Sequence, residues 1–170
     1  MGPLTDVRFA DVFRRHYPRL VGLARRVLGD AKEAEDAAQE ALLALRVDPV
    51  AQRGEADIAA WLSRVVINGS LNRLRARRRA DVLAQVVGAR DVRALGDEPA
   101  EAAVDADERR RVRATLAVLP ERQATALLLR HAGYSYHEIA TTLGVADGSV
   151  GVLLARGERA FRRAHEEMNQ

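Results

Sequence analysis

Five side chains between residues 64 and 79 have types and spacing that could do chemistry: Arg64, Asn68, Asn72, Arg75 and Arg79. They recur at intervals of three and four, so a helix would align them in one polar ridge. An asparagine amide offers a donor and an acceptor side by side and can hold an adenine edge at two points. An arginine holds a phosphate through paired N–H donors. From Arg64 to Arg79 the sequence contains no acidic residue. A solvated helix normally mixes both signs, so this one-sided charge points to an anionic partner of the nucleic-acid kind.

Two further groups could make contacts, and neither could catalyse. Asp147 and Ser149 open a helical pattern along which Arg156, Arg159, Arg162 and Arg163 present a phosphate-suited surface. Asp36, Gln39 and Glu40, with Glu33 and Glu35, form the mostly acidic outer face of an earlier helix. By composition alone that face is a solvated one. His16, His131, His137 and His165 are scattered, and none pairs with another at metal-ligand spacing. A phosphate-cradling glycine loop and a nucleophile elbow are both missing. The absence of cysteine removes disulfides, thiolate sites and thiol nucleophiles. No catalytic residue, metal or cofactor is expected.

The elements that must position these groups are helices. The chain has 170 residues, 48% hydrophobic and 30% charged, with a formal net charge of +3 carried almost wholly by arginine. Alanine and arginine favour helix and β-branched runs are short, so the expected fold class is all-α. Apolar residues recur at helical spacing from Asp6 to Leu28, where Pro18 should kink or restart the helix. Gly29 ends that segment, and Asp30 with Glu33 has the spacing of a capping box for a helix from Ala31 to about Arg46. Asp48-Pro49 stops it, a loop runs to Asp57, and a third helix from Ile58 to Arg79 carries the ridge.

Composition changes at Ala80. Glycines, Pro99 and the acids Asp91, Asp97, Glu98 and Glu101 predict a linker that is flexible or only partly helical. Helical patterning resumes at Arg109, and Pro120 suits the first turn of a further helix. Gly133 to Arg163 then reads as a helix-turn-helix. Ser135 and Glu138 form a capping box, Ala140 permits close approach, Gly144 turns the chain and Val150 plugs the angle. Its base-facing positions (Ala146, Asp147, Gly148, Gly151, Val152 and Ala155) offer almost nothing that could bond a base edge. The expected organisation is two small helical domains, 6–79 and 109–165, joined by an acidic linker over 80–108. With no apolar span or signal pattern, a soluble cytoplasmic protein without membrane insertion is expected.

Five stretches occur in order: Ala34-Glu35-Asp36-Ala37-Ala38-Gln39-Glu40, Trp61-Leu62-Ser63-Arg64-Val65, Asn68 with Asn72, Leu119-Pro120-Glu121-Arg122-Gln123, and Tyr134-Ser135-Tyr136-His137-Glu138-Ile139-Ala140. This set resembles bacterial RNA polymerase sigma factors of the extracytoplasmic-function (ECF) group, which have only the second and fourth conserved sigma regions. The resemblance covers roughly residues 9–79 and 109–165. It implies a promoter-specificity subunit, not an enzyme, whose partners are core RNA polymerase and promoter DNA. Asp36, Gln39 and Glu40 would dock on the β′ coiled coil. Asn68 and Asn72 would contact the opened non-template strand of the −10 element, with Arg64, Arg75 and Arg79 on its backbone. The helix-turn-helix would bind the −35 element and the β flap, using Asp147, Ser149, Arg156, Arg159 and Arg163. The acidic linker would lie near the active-site and RNA-exit channel. The family also admits an anti-sigma factor as a partner.

One stretch departs from the family. Where it usually shows a pattern like T-V-K-S-R, this chain has Ser149, Val150, Gly151, Val152 and Leu153. That puts base-specific −35 reading in doubt. The alternative reading is a sigma-like protein-interaction module or regulator that has lost it.

Overall fold

A computed structural model describes residues 6–87 and 100–168. Among these, seven α-helices and one short 3₁₀ turn account for the regular structure, and there are no strands. Helix α1 spans Asp6–Leu28 and buries Val12, Leu20, Leu23, Ala24, Val27 and Leu28 against α2 and α3. Pro18 lies inside α1 without ending it, contrary to the expected restart. Proline forfeits one backbone bond and crowds the carbonyl four residues earlier. The apolar stripe on both sides of it holds the helix together.

Helix α2 spans Ala31–Leu45. Asp30 caps it by accepting the Glu33 N–H at 2.8 Å. The Glu33 carboxylate contacts Arg77 on α3 rather than closing the reciprocal half of the expected box. The predicted loop contains an ordered 3₁₀ turn, Pro49–Gln52, capped by the Asp48 carboxylate on the Val50 N–H at 2.8 Å.

Helix α3, Glu55–Val87, is the longest element at 33 residues. It begins before Ile58 and runs on past Arg79, so the ridge sits in mid-helix. Helix α4 spans Ala100–Val118 and also begins earlier than expected. Of the predicted linker, 80–87 and 100–108 are therefore helical, while 88–99, with Asp91, Asp97 and Glu98, fall outside the described residues.

Helices α5 (Glu121–His131), α6 (Tyr136–Leu143) and α7 (Asp147–Met168) complete the C-terminal half. Both bonds of the α6 capping box are present: the Ser135 N–H donates to Glu138 Oε2 at 2.8 Å, and the Glu138 N–H donates to Ser135 Oγ at 3.2 Å. Gly144 adopts φ +64°, and the chain turns through 89° between α6 and α7. Ala140 and Val150 are buried at the angle. Gly157 lets α7 lie against α5, since a Cβ there would meet Leu127 Cγ at 3.2 Å. Helix α3 packs against α4, α5 and α6 as well as α1 and α2.

Candidate nucleic-acid interface

At about 100° per residue, Arg64, Asn68, Asn72, Arg75 and Arg79 fall within about 80° of arc on α3. Ile67, Leu71 and Leu74 lie about a quarter turn around the helix from the ridge and are buried, which fixes the orientation of the ridge. Arg64, Asn72 and Arg79 are exposed, whereas Asn68 and Arg75 are half-buried. The difference comes from the C-terminal half. Asn68 Nδ2 donates to Glu121 Oε1 at 2.8 Å, and Asn68 Oδ1 accepts from Thr125 Oγ1 at 3.1 Å. Arg75 donates from Nε to the Ala117 carbonyl and from Nη2 to the Leu119 carbonyl, each at 3.1 Å. Its Nη1 donates to Asn72 Oδ1 at 3.3 Å and lies 3.7 Å from Glu121 Oε2.

At the N-terminal end of the ridge, Trp61 and Arg64 line a cleft of about 420 Å³. Asp48, Pro49 and Arg53 close one side of it and Thr141 and Thr142 of α6 the other. Nearby, Tyr134 is 4% exposed and shares a 2.9 Å hydrogen bond with Ser63 Oγ. The Arg19 guanidinium covers the Tyr134 ring at 4.1 Å.

Asp36, Gln39 and Glu40 are exposed on α2. Glu40 pairs with Arg73 at 2.6 Å, leaving Asp36 and Gln39 as the freer members. Arg73 and Arg77 face α2 from about half a turn around α3, so the acidic face and the ridge lie on opposite sides of that helix.

On α7, Ser149, Arg156, Arg159 and Arg163 are exposed. Asp147 is exposed too, but its carboxylate lies 3.0 Å from His137 Nδ1. Among the expected base-facing positions, Val152 is 54% exposed and a Cβ on Gly148 would meet nothing within 4 Å. The apolar surface read from the sequence is therefore open to solvent, and Leu153 is half-buried against the core.

The capping carboxylate Glu138 is held below the usual carboxylate range. The Ser135 backbone N–H and hydroxyl lower it most, Arg19 adds to them, and partial burial opposes them. At Glu55 burial raises the carboxyl, but hydrogen bonds and charge from Arg15 and His16 outweigh it, and the net shift is downward.

Sequence reasoning did not find Glu121, Thr125, Ser63 and Tyr134 as neighbours of the ridge. Thr125 is the lone hydroxyl in an apolar stretch of α5, which is a faint signal of a buried polar contact. Nothing local points to an asparagine 57 positions away.

Residues 12–80 match the family described as Sigma-70 region 2, and residues 109–161 match Sigma-70, region 4. The chain is 33% identical over 157 residues to the ECF RNA polymerase sigma factor SigM of Mycobacterium tuberculosis, covering 91% of this chain and 76% of that protein. It is 32% identical to the RNA polymerase sigma-H factor of Pseudomonas aeruginosa, covering 94% and 87%. The fold is similar to that of the sigma factor RpoE of Bartonella quintana, solved with the anti-sigma factor NepR. That match has a TM-score of 0.54 at 21% identity over 93% of this chain and 96% of that one. The chain belongs to the ECF RNA polymerase sigma factors and is a promoter-recognition subunit of RNA polymerase, not an enzyme.

Proposed function

We propose that the ridge on α3 reads the opened −10 strand and holds it for initiation. Asn68 and Asn72 bond the edges of unstacked bases, while Arg64, Arg75 and Arg79 hold the phosphates. The observation that carries this reading is the alignment of two amides and three guanidiniums on one face of α3, with no carboxylate on that helix from Arg64 to Arg79. The cleft beside Trp61 and Arg64 has room for a base taken out of the stack.

Residues 6–79 then act as the −10 unit and 109–165 as the −35 unit, with 80–108 between them. Arg156, Arg159 and Arg163 clamp −35 phosphates. Ser149 is left as the main polar side chain for base contact, because Asp147 is engaged by His137. Asp36, Gln39 and Glu40 dock on polymerase. The working compartment is the cytoplasm, and an anti-sigma factor is a further partner.

Permanganate footprinting of promoter melting with core polymerase tests the central assignment. Asn72→Ala should reduce opening roughly tenfold, in line with about 1–3 kcal/mol for a bidentate base contact. Core binding should be unchanged, and a parallel loss of it would refute the strand-reading role. The surface of α7 favours a second reading, in which the −35 unit serves mainly as a protein contact. Protection of −10 but not −35 DNA in the same footprint would select it.

A further inference from the structure

We propose that the −35 unit is the internal competitor for the strand-reading ridge: in the free chain α5 and the α4–α5 turn occupy Asn68 and Arg75, and single-stranded DNA must displace them. The inference rests on the strand-reading role of the ridge.

The occupation is chemical mimicry rather than simple crowding. A base edge would present an acceptor to the Asn68 amide and a donor to its carbonyl oxygen. Glu121 Oε1 supplies that acceptor at 2.8 Å, and the Thr125 hydroxyl, shared with the Glu121 carbonyl at 2.8 Å, faces the Asn68 oxygen as donor at 3.1 Å. A phosphate would present oxygens to Arg75. The Ala117 and Leu119 carbonyls supply two at 3.1 Å, and Glu121 Oε2 stands at 3.7 Å.

The same contacts give α4 what it lacks. No basic residue lies in its own last turn, and its terminal carbonyls carry partial negative charge. Arg75, with Arg78 donating to the Ala114 carbonyl at 3.1 Å, caps that end from α3. Around this patch the Ser63–Tyr134 hydrogen bond and Arg19, over Tyr134 and 3.8 Å from Glu138, complete the seam. These contacts are polar and can be exchanged for those of a ligand, while the apolar packing beside them continues from one half into the other. Arg64, Asn72 and Arg79 stay exposed, so a strand has a foothold beside Asn68 before it displaces Glu121.

The 170-residue chain tests this directly, because it contains no cysteine of its own. Cysteines introduced at exposed Val47 and Glu166 would carry a donor and an acceptor dye. The probe is a fluorescein-labelled, random-sequence, single-stranded 20-nucleotide DNA, with binding of the unlabelled protein read by anisotropy. The Glu121→Ala/Thr125→Val pair should lower energy transfer and tighten DNA binding at least fivefold. Tyr134→Phe, which changes no charge, should do both to a lesser degree. Saturating unlabelled DNA should lower transfer in the wild type.

Glu167→Ala removes one negative charge at the end of α7 and controls for simple attraction. Tightening by this control equal to that of the pair, with Tyr134→Phe silent, would overturn the competition. So would transfer that no variant and no DNA changes, or transfer that falls without tighter binding. Adding Asn72→Ala to the opened pair separates the two claims. Weaker DNA binding there upholds the ridge as the strand site even where competition fails, and unchanged binding overturns both.

Discussion

Asn68 and Asn72 are the same residue type one helical turn apart, yet they sit in different chemical states. Asn72 is exposed, while both polar ends of Asn68 are satisfied by α5. Their alanine variants should therefore separate in the free chain. Asn68→Ala removes the hydrogen bonds to Glu121 and Thr125, while the Thr125 hydroxyl keeps the Glu121 carbonyl as acceptor, and should cost about 1 kcal/mol in chemical denaturation. Asn72→Ala should stay within about 0.5 kcal/mol of wild type, as surface changes usually do. Equal losses would show that the seam does not stabilise the chain. Glu138 offers a second residue-scale prediction. Its carboxyl is lowered chiefly by the Ser135 N–H and hydroxyl, so the unfolded chain takes up this proton before the folded one. Its stabilising contribution is complete above the ordinary value of about 4.3 and is lost as pH falls through the lower folded value. Glu138→Gln can still complete a capping box but cannot titrate. The thermal midpoint of that variant should fall less steeply below about pH 4.3 than that of the wild type.

At the scale of elements, α7 holds two interior glycines with opposite roles. Alanine at Gly151 would meet only Tyr136 Cε2 at 3.8 Å, so Gly151→Ala should stabilise the helix by about 1 kcal/mol. Alanine at Gly157 would meet Leu127 Cγ at 3.2 Å and Cδ1 at 3.3 Å, so Gly157→Ala should destabilise by about 1–3 kcal/mol. Paired denaturation curves measure both, and a shared sign would contradict the packing. The contrast also explains what could be read beforehand. The helix-turn-helix was legible because the Ser135 cap, the Gly144 turn and the Val150 plug are local and carry their own residue types. Gly157 was silent because a glycine that permits close approach has no side chain to count. The true end of α3 was hidden for a related reason: Val82 is 52% and Leu83 63% exposed, so no buried stripe marks the continuation. Pro18 misled because its local cost is overridden by packing with α2 and α3, which no window of sequence contains.

At the scale of the molecule, α3 separates two surfaces while belonging to both. One side receives α2 through Arg73 and Arg77, and the other carries the ridge, which meets α5 at Asn68. The ridge could be recognised from one helix, but the seam over it could not, since it joins side chains more than 50 positions apart. The separation has a consequence for polymerase docking. If the acidic face of α2 is the docking surface, docking and strand reading can be broken independently. Asp36 is the residue to change, because it is exposed whereas Glu40 is already paired with Arg73. Asp36→Arg reverses one charge on the far side of α3 and leaves the contacts of Asn68 and Arg75 untouched. Its stability should remain within about 0.5 kcal/mol of wild type. Affinity for core polymerase should fall at least roughly tenfold, as expected where a like charge replaces a complementary one. Binding of single-stranded DNA by the free chain should hold or tighten slightly, since net positive charge rises. Core affinity measured by fluorescence titration and strand affinity measured by anisotropy check the two halves separately. A normal core affinity would remove the docking role from this face, and a matching loss of strand binding would mean that α3 does not insulate one surface from the other.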